Sequence, residues 1–229
     1  MFAHIAGGYE GFDHLASIGQ DLLWRPRALW ALDRFRRRPV ERALDVGCGT
    51  GELARAVARH YPRSHVVATD FTARMLSAAS THRGSRSIAP RLTFGAANAL
   101  RLPFSDGSFD LVTNAFVARN LTDLPAAFRE MRRVLRPRGC LLTLEITEPA
   151  APSFGALFHA YFDRVVPMLG RAVGSEGPYR YLPESLRTLP SRAAMEAIVG
   201  AAGFARTLSV PQSFGIVTAF LGEAGDQSR

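Results

Sequence analysis

The chain has no lysine and only two cysteines, and no stretch approaches the roughly 20 apolar residues of a membrane-spanning helix. Cys48 and Cys140 are too few for a disulfide scaffold or a zinc cluster, and the histidines are scattered, so we expect no metal site. The first ten residues lack a cationic stretch followed by an apolar one, so no secretion signal is expected. These absences predict a cytoplasmic protein.

Apart from histidine, all basic side chains are arginine, and the formal net charge is +8. The densest clusters lie at 34–38 and 132–138. Such charge runs are most often solvated faces, and the alternative is a basic face for the headgroups of an anionic membrane. Membrane contact would then be peripheral. No nucleic-acid-binding motif accompanies the arginines, so nucleic acid is not expected as a partner. Assembly into a homo-oligomer stays open.

Nearly half of the residues are apolar, which is enough for the core of one α/β domain. Residues 9–38 read as helical, divided at Pro26. Strands and helices then alternate, which predicts a mostly parallel sheet with right-handed crossovers. The predicted strands are 42–46, 65–69, 91–95, 109–116 and 140–146, and the predicted helices are 52–60, 72–80, 124–135 and 191–202.

The alternation breaks after residue 149. Residues 150–190 combine prolines and glycines with aromatic side chains, which predicts a helical insert that covers the sheet. Two strands, 204–210 and 213–221, follow the last helix and are joined tightly at Pro211-Gln212. This hairpin makes the last strand antiparallel to the rest.

The strongest motif, Asp-Val-Gly-Cys-Gly-Thr-Gly at 45–51, follows the first predicted strand. Open α/β sheets bind ligands at this edge, and glycines let a ligand approach the backbone closely. A dinucleotide site would space its glycines for pyrophosphate, whereas here they alternate and an acid precedes them. That acid repels pyrophosphate but suits a cofactor with an ammonium and a sulfonium group. A tight turn without a ligand is the alternative. The residues predicted to contact the cofactor are Asp45, Gly47, Gly49, Thr50 and Gly51.

Two more polar residues follow the next two predicted strands. Asp70 comes about 20 residues after the glycines, where an acid accepts hydrogen bonds from ribose hydroxyls. Asn98, followed by Ala99, offers a side-chain amide that can pair with the edge of an adenine ring. The plainer alternatives are a helix cap for Asp70 and a turn residue for Asn98. Their placement after successive strands favours one shared site.

These motifs, with Leu-Pro-Phe-Ser-Asp-Gly-Ser-Phe-Asp at 102–110, resemble the class I S-adenosylmethionine-dependent methyltransferases. More narrowly, the chain resembles the ubiquinone/menaquinone biosynthesis C-methyltransferases. The narrower resemblance is carried by Tyr9-Glu10, Trp24-Arg25, Arg-Asn-Leu-Thr-Asp at 119–123, Leu144-Glu145 and Tyr-Arg-Tyr-Leu-Pro-Glu-Ser at 179–185.

The resemblance covers nearly the whole chain and implies one domain over 1–229, with a Rossmann-like, mostly parallel sheet of seven strands. The last strand is antiparallel, helices over 1–40 precede the sheet, and the insert at 150–190 lies over the active site. The implied cofactor is S-adenosylmethionine. The implied acceptor is a lipophilic quinol, either demethylmenaquinol or a related polyprenyl benzoquinol.

The resemblance also implies site residues and shows departures. Ala115 stands where the family has a serine of the cofactor pocket, and Val117 replaces a glycine. Asp13 falls in Glu-Gly-Phe-Asp, where the family has Asp-x-Met-Asn. These departures leave the acceptor open. The predicted substrate contacts are Tyr9, Asp13, Asn120, His159, Tyr179, Arg180 and Tyr181.

Methylation of a ring carbon needs a hydroxyl on the ring to lose its proton. Arg119 cannot act as a base, but it can stabilise the phenolate and is the predicted catalytic residue. Asn120 would hold the ring, unless it only caps a turn. The proton acceptor is water, Asp13, His14 or His159.

Two other functions stay open at this point. The first is methylation of another hydroxylated small molecule, such as a polyketide or a sterol. The second is a regulator that binds the cofactor without turnover. That regulator would have lost its acceptor pocket, whereas Arg119 and the aromatic residues at 179–181 look like a retained one.

Overall fold

The computed structural model describes residues 20–81, 87–147, 149 and 190–226. Its strands are β1 (Arg42–Val46), β2 (His65–Asp70), β3 (Leu92–Ala96), β4 (Phe109–Ala115), β5 (Leu135–Ile146), β6 (Phe204–Gln212) and β7 (Val217–Ala224). Its helices are α1 (Asp21–Phe35), α2 (Glu52–His60), α3 (Ala73–Thr81), α4 (Leu124–Val134) and α5 (Arg192–Ala201). Short 3-10 turns cover Ala89–Arg91, Ala118–Asn120 and Ser213–Gly215.

The seven strands form one sheet in the order β3-β2-β1-β4-β5-β7-β6. The pairs among β1 to β5 are parallel, whereas β7 is antiparallel to both β5 and β6. Six strands therefore run the same way, and their carboxyl ends share one edge. The predicted seven-stranded α/β sheet with an antiparallel last strand is confirmed.

The sheet separates two apolar layers. Neighbouring residues of a strand point to opposite faces, so Leu111 packs with α1 and α2, and Val112 packs with α4 and α5. In β5, Leu142 likewise packs in the layer of α1 and α2, and Leu141 packs in the layer of α4 and α5. Burial on both faces explains why these strands read as continuous apolar runs.

Three predicted boundaries are wrong. Pro26 lies inside α1, because packing of the buried helix face outweighs one lost hydrogen bond. β5 begins at Leu135, where a register shift against β4 lets the strand pass through Pro137. β6 continues through Gln212 and β7 runs over Val217–Ala224 instead of 213–221, so the hairpin turns at Ser213–Gly215 rather than at Pro211-Gln212.

Within the ranges that the structure describes, no helix is both long and apolar enough to cross a membrane. No group of three or more potential metal ligands occurs in those ranges either. The predicted insert lies outside the described residues except for its final position, Pro190.

Candidate cofactor site

The loop between β1 and α2 makes its turns with glycines that have positive φ angles. Gly47 has φ 68°, and a Cβ there would lie 2.6 Å from the side chain of Val117. Gly49 has φ 55°, and a Cβ there would meet nothing within 4 Å. Gly51 has φ 88° and precedes the first residue of α2. The loop backbone therefore packs tightly against Val117 at Gly47 and faces open space at Gly49.

Asp45 is buried at the end of β1, with 1% of its surface exposed. Its Oδ1 accepts a hydrogen bond from the Thr113 hydroxyl at 2.7 Å. Its Oδ2 has no hydrogen-bond partner among the residues that the structure describes. Burial raises the pKa of the Asp45 carboxyl to about 7. A buried carboxylate oxygen without a donor is costly, which marks this atom as a place for a ligand donor.

Asp70 joins this loop to the end of β2. Its Oδ2 accepts from the amide of Gly49 at 2.9 Å, and its Oδ1 accepts from the amide of Thr72 at 2.8 Å. Asp70 therefore supports the turn that leads into α3, but Thr72 is the residue directly before this helix, so the helix-cap alternative is not confirmed. Each carboxylate oxygen can accept more than one hydrogen bond, so a role toward a ligand is compatible with these contacts.

Asn98 lies in the turn after β3. Its side-chain oxygen accepts from the amide of Leu100 at 2.9 Å, so the turn alternative holds. Arg133 of α4 fixes the next residues through the carbonyls of Leu102, at 3.1 Å, and Phe104, at 2.8 Å. Glu130 accepts from the Leu102 amide at 2.9 Å. This anchorage holds the loop at the edge of the sheet.

These segments enclose a cavity of about 540 Å³. It brings together eight of the nine predicted cofactor residues, with the substrate candidate Asn120. Gly51 is not among the described lining residues. A Cβ at this position would lie 3.0 Å from the side chains of Arg55 and Phe94, so Gly51 faces the protein. The predicted residues on the wall are Asp45, Gly47, Gly49, Thr50, Asp70, Asn98, Ala99, Ala115 and Asn120.

Sequence reasoning missed several residues of the wall. Arg25 reaches it from α1 and forms an ion pair with Glu52 at 3.3 Å. Arg55 holds Glu52 from the other side at 3.1 Å and donates to the Thr50 carbonyl at 2.8 Å. Phe71 and Met75 line the side beyond Asp70. The Trp24-Arg25 pair contributed to the family resemblance, but nothing local in the sequence shows that α1 packs beside the glycine loop.

The segment after β4 forms the opposite wall. Phe116 adopts the left-handed region, with φ 57°, which is uncommon for an aromatic residue and occurs preferentially at functional sites. Its ring packs edge-on against Trp24 with centroids 6.0 Å apart. Ala115, Val117 and Leu121 also face the cavity.

Arg119 lies in the 3-10 turn that follows, with a buried side chain. Its Nη1 lies 3.4 Å from Oε1 of Glu145 in β5, so the two side chains form an ion pair. Asp123 caps α4 by accepting from the Ala126 amide at 2.9 Å. Arg119 is not among the described lining residues of the cavity, although Asn120 beside it is. Its predicted catalytic role stays a prediction.

Glu145 is as deeply buried as Asp45, but each of its oxygens has donors. Oε2 accepts from the amide of Ala118 at 3.0 Å, and Oε1 accepts from the amide of Ile146 at 3.1 Å and from Arg119. Burial raises the pKa of Glu145, while the charge of Arg119 lowers it. The carboxylate therefore fastens the post-β4 turn to β5.

The remaining predicted substrate residues lie outside the described part of the chain. They are Tyr9, Asp13, His159, Tyr179, Arg180 and Tyr181.

A glycine turn, a buried acid and a second acid at the ends of adjacent parallel strands, in a sheet with an inserted antiparallel strand, define the class I methyltransferase fold. Solved structures show the same fold. A methyltransferase in complex with the Trm112 methyltransferase activator of Haloferax volcanii has a TM-score of 0.66 and 18% identity, covering 98% of each chain. A SAM-dependent methyltransferase from Aquifex aeolicus has a TM-score of 0.64 and 17% identity, covering 93% of this chain and 97% of its own.

The chain belongs to the ubiE/COQ5 methyltransferase family, whose sequence profile matches residues 1–223. It is 40% identical to a demethylmenaquinone methyltransferase of Thermus thermophilus over 97% of this chain and 99% of the relative. It is 36% identical to a ubiquinone/menaquinone biosynthesis C-methyltransferase of Geobacter sulfurreducens, over 98% of this chain and 87% of the relative.

Proposed function

We propose that this methyltransferase binds S-adenosylmethionine in the cavity and methylates a ring carbon of a lipophilic quinol, in the synthesis of an isoprenoid quinone. The observation that carries the cofactor proposal is Asp45 Oδ2, a buried carboxylate oxygen on the cavity wall without a donor in the described chain. An ammonium group supplies that donor, together with a compensating charge.

The other wall residues fit the rest of the cofactor. The open space at Gly49 admits a ligand against the backbone. Asp70, already fixed by two amides, can accept from ribose hydroxyls, and the exposed ring of Phe71 can stack on adenine. S-adenosylmethionine supplies an electrophilic methyl group on its sulfonium when bound. The acids Asp45, Glu52 and Asp70 favour that cationic ligand over a pyrophosphate.

The quinol part of the proposal is supported by the relatives' names and by the apolar wall. Phe116, Val117 and Leu121 provide apolar surface, and the Asn120 amide can hold a ring oxygen. The runner-up, another hydroxylated acceptor, is favoured by one observation. Ala115 and Val117, which depart from the family pattern, both line the cavity and therefore change its shape.

Arg119 remains the candidate for stabilising the developing phenolate. Its pairing with Glu145 holds it next to Asn120, so the guanidinium is fixed before the acceptor binds. A fixed positive charge beside a ring hydroxyl favours the ionised, more nucleophilic form of the ring.

The proposal also includes peripheral contact of the protein with an anionic membrane. The net charge of +8 supports it. Phe214, which is 81% exposed, follows β6 at the edge that carries the cavity. Basic charge with exposed aromatic rings is typical of surfaces that dock on anionic bilayers. Vesicle binding that ignores salt concentration would remove this part of the proposal.

Calorimetry with S-adenosylmethionine tests the cofactor site. Gly49→Val should abolish binding, because the new side chain enters the open space against which the ligand rests. Gly203→Val is the matched control, since Gly203 also has a positive φ, 92°, and open space, but does not line the cavity. Intact binding in Gly49→Val would show that the loop does not touch the ligand.

The acceptor is tested by incubating the protein with a labelled methyl donor. Demethylmenaquinol should become labelled, and a panel of soluble phenols should not. Labelling of the phenols alone would favour the runner-up. A protein that binds S-adenosylmethionine and labels none of these acceptors would contradict the quinol proposal while leaving the cofactor site intact.

A further inference from the structure

The amino-acid end of S-adenosylmethionine carries an ammonium and a carboxylate, and this inference rests on the proposed cofactor. Asp45 suits the ammonium. The carboxylate is disfavoured in this cavity, because Asp45, Glu52 and Asp70 all line it and repel a negative charge. A site that holds this zwitterion needs a cation or a set of donors close to those acids.

Part of the backbone of the glycine loop is not available as a source of such donors. The amide of Cys48 donates to the Thr69 carbonyl at 2.8 Å, and that of Gly49 donates to Asp70 at 2.9 Å. The amide of Gly51 donates to the Cys48 carbonyl at 2.8 Å. Three amides that would otherwise cradle an anion are thus engaged within the protein.

Arg25 is the one basic residue among the described residues that line the cavity. Only 14% of its side chain is exposed, and its guanidinium lies 3.3 Å from Glu52. Its charge also acts on the acid at the end of β1. Burial raises the pKa of Asp45, and the charge of Arg25 lowers it. A guanidinium is a planar fork of N–H donors, so one arginine can serve two carboxylates.

The neighbours of Arg25 hold α1 in place. Trp24 is buried, and its indole nitrogen donates to the Ser213 hydroxyl at 2.7 Å. Its ring also packs against Phe116. On the other side, Glu52 is braced by Arg55. The helix is therefore anchored to the sheet on one side of Arg25, and its ion-pair partner is anchored on the other.

We propose that Arg25 binds the carboxylate of S-adenosylmethionine while Asp45 binds the ammonium, so that α1 and β1 recognise the two opposite charges of the zwitterion. The pair makes the site selective for ligands with an intact amino-acid end. It also makes α1, which lies outside the alternating strands and helices, part of the cofactor site.

Calorimetric titrations with three ligands distinguish the contribution of the carboxylate to the affinity from that of the ammonium. S-adenosylmethionine has both groups, its decarboxylated analogue has only the ammonium, and 5′-methylthioadenosine has neither. Arg25→Gln should weaken S-adenosylmethionine by about 10–100-fold, the range for a lost charged hydrogen bond. The decarboxylated analogue should change by less than about threefold, and methylthioadenosine should not change.

The second variant, Asp45→Asn, should weaken S-adenosylmethionine and the decarboxylated analogue by similar factors and leave methylthioadenosine unchanged. Arg27→Gln is the matched control, since it removes the same charge from the exposed face of α1 and should change no affinity. Arg25→Lys keeps the charge without the fork and should give a smaller loss than Arg25→Gln.

The affinity ratio of two ligands on one variant does not depend on the folded fraction, so partial unfolding does not obscure the result. Equal losses for S-adenosylmethionine and its decarboxylated analogue in Arg25→Gln would overturn the inference and leave the proposed function standing. No binding of any ligand to the unchanged protein would overturn both.

Discussion

Two buried carboxylates of the sheet, Asp45 in β1 and Glu145 in β5, differ in how completely the protein satisfies their hydrogen bonds. Asp45 and Glu145 are each 1% exposed. Glu145 has donors on both oxygens, from two amides and an arginine, whereas one oxygen of Asp45 has no hydrogen-bond partner among the described residues. A buried acid whose bonds are complete holds the fold, and a buried acid whose bonds are incomplete is where a ligand completes them.

Removing each carboxylate should sharpen this contrast. Glu145→Ala removes the carboxylate that pairs with the buried Arg119 and should cost about 3–5 kcal/mol of unfolding free energy. At about 2–4 °C per kcal/mol for a chain of this length, the Tm should fall by roughly 10 °C. Asp45→Asn should keep the Tm or raise it, because it removes a costly buried charge, while it weakens S-adenosylmethionine. Thermal melts without ligand measure both, and a Tm loss in Asp45→Asn as large as that in Glu145→Ala would break the comparison.

The next largest effect concerns the partner of Glu145. If Arg119 stabilises the acceptor phenolate, Arg119→Gln should lower turnover per folded molecule by about a hundredfold. The affinity for S-adenosylmethionine should barely change, and higher pH should partly restore turnover, because the ring hydroxyl then ionises unaided. Turnover is measured alongside the Tm. A variant with a lower Tm and normal turnover would show that Arg119 serves only the ion pair.

Asp70 is the intermediate case, since each of its oxygens already accepts one hydrogen bond from the protein and it also lines the cavity. Asp70→Ala should weaken S-adenosylmethionine by about 1–3 kcal/mol, the scale of lost hydrogen bonds in a buried site. Calorimetry measures the loss, and methylthioadenosine, which keeps the ribose, should lose as much. Unchanged affinity for both ligands would assign Asp70 to the turn alone.

The smallest effect is a pH dependence from Asp45. Since burial raises the pKa of Asp45 to about 7, the carboxyl is increasingly neutral below that pH. Affinity for S-adenosylmethionine should fall by up to about tenfold per pH unit below 7 and level off above it. Stability without ligand should follow the opposite course. The folded pKa exceeds the ordinary value of 3.8, so the stabilising contribution of the protonated group is lost as pH rises through 7. Asp45→Asn should flatten both profiles.

Most of the fold could be predicted from the sequence because the sheet is buried on both faces. Its strands read as apolar runs ending in glycines or polar residues, and the cofactor residues follow those ends. The three wrong boundaries share a cause. Pro26, Pro137 and Pro211 are local signals for a break, and in each place tertiary pairing or packing outweighs the local preference.

The parts of the site that sequence reasoning missed depend on contacts distant in the chain. Arg25 meets Glu52 across 27 positions, and Arg119 meets Glu145 across 26. Spacing along the sequence shows which residues end a strand, but it does not show which helix packs beside them. The glycine loop, Asp70 and Asn98 directly follow strands and could therefore be predicted from the sequence. The ion pairs between separate elements could not.

The position of β7 sets a condition on how the chain can be made. β7 lies between β5 and β6 and is buried at all eight positions. During synthesis β6 leaves the ribosome before the strand with which it pairs, so it has no strand partner until β7 emerges. Until then β5 presents an open edge, which is a site for pairing with other chains. We expect folding of this half of the sheet to follow translation, and arrest of the ribosome before β7 to favour aggregation.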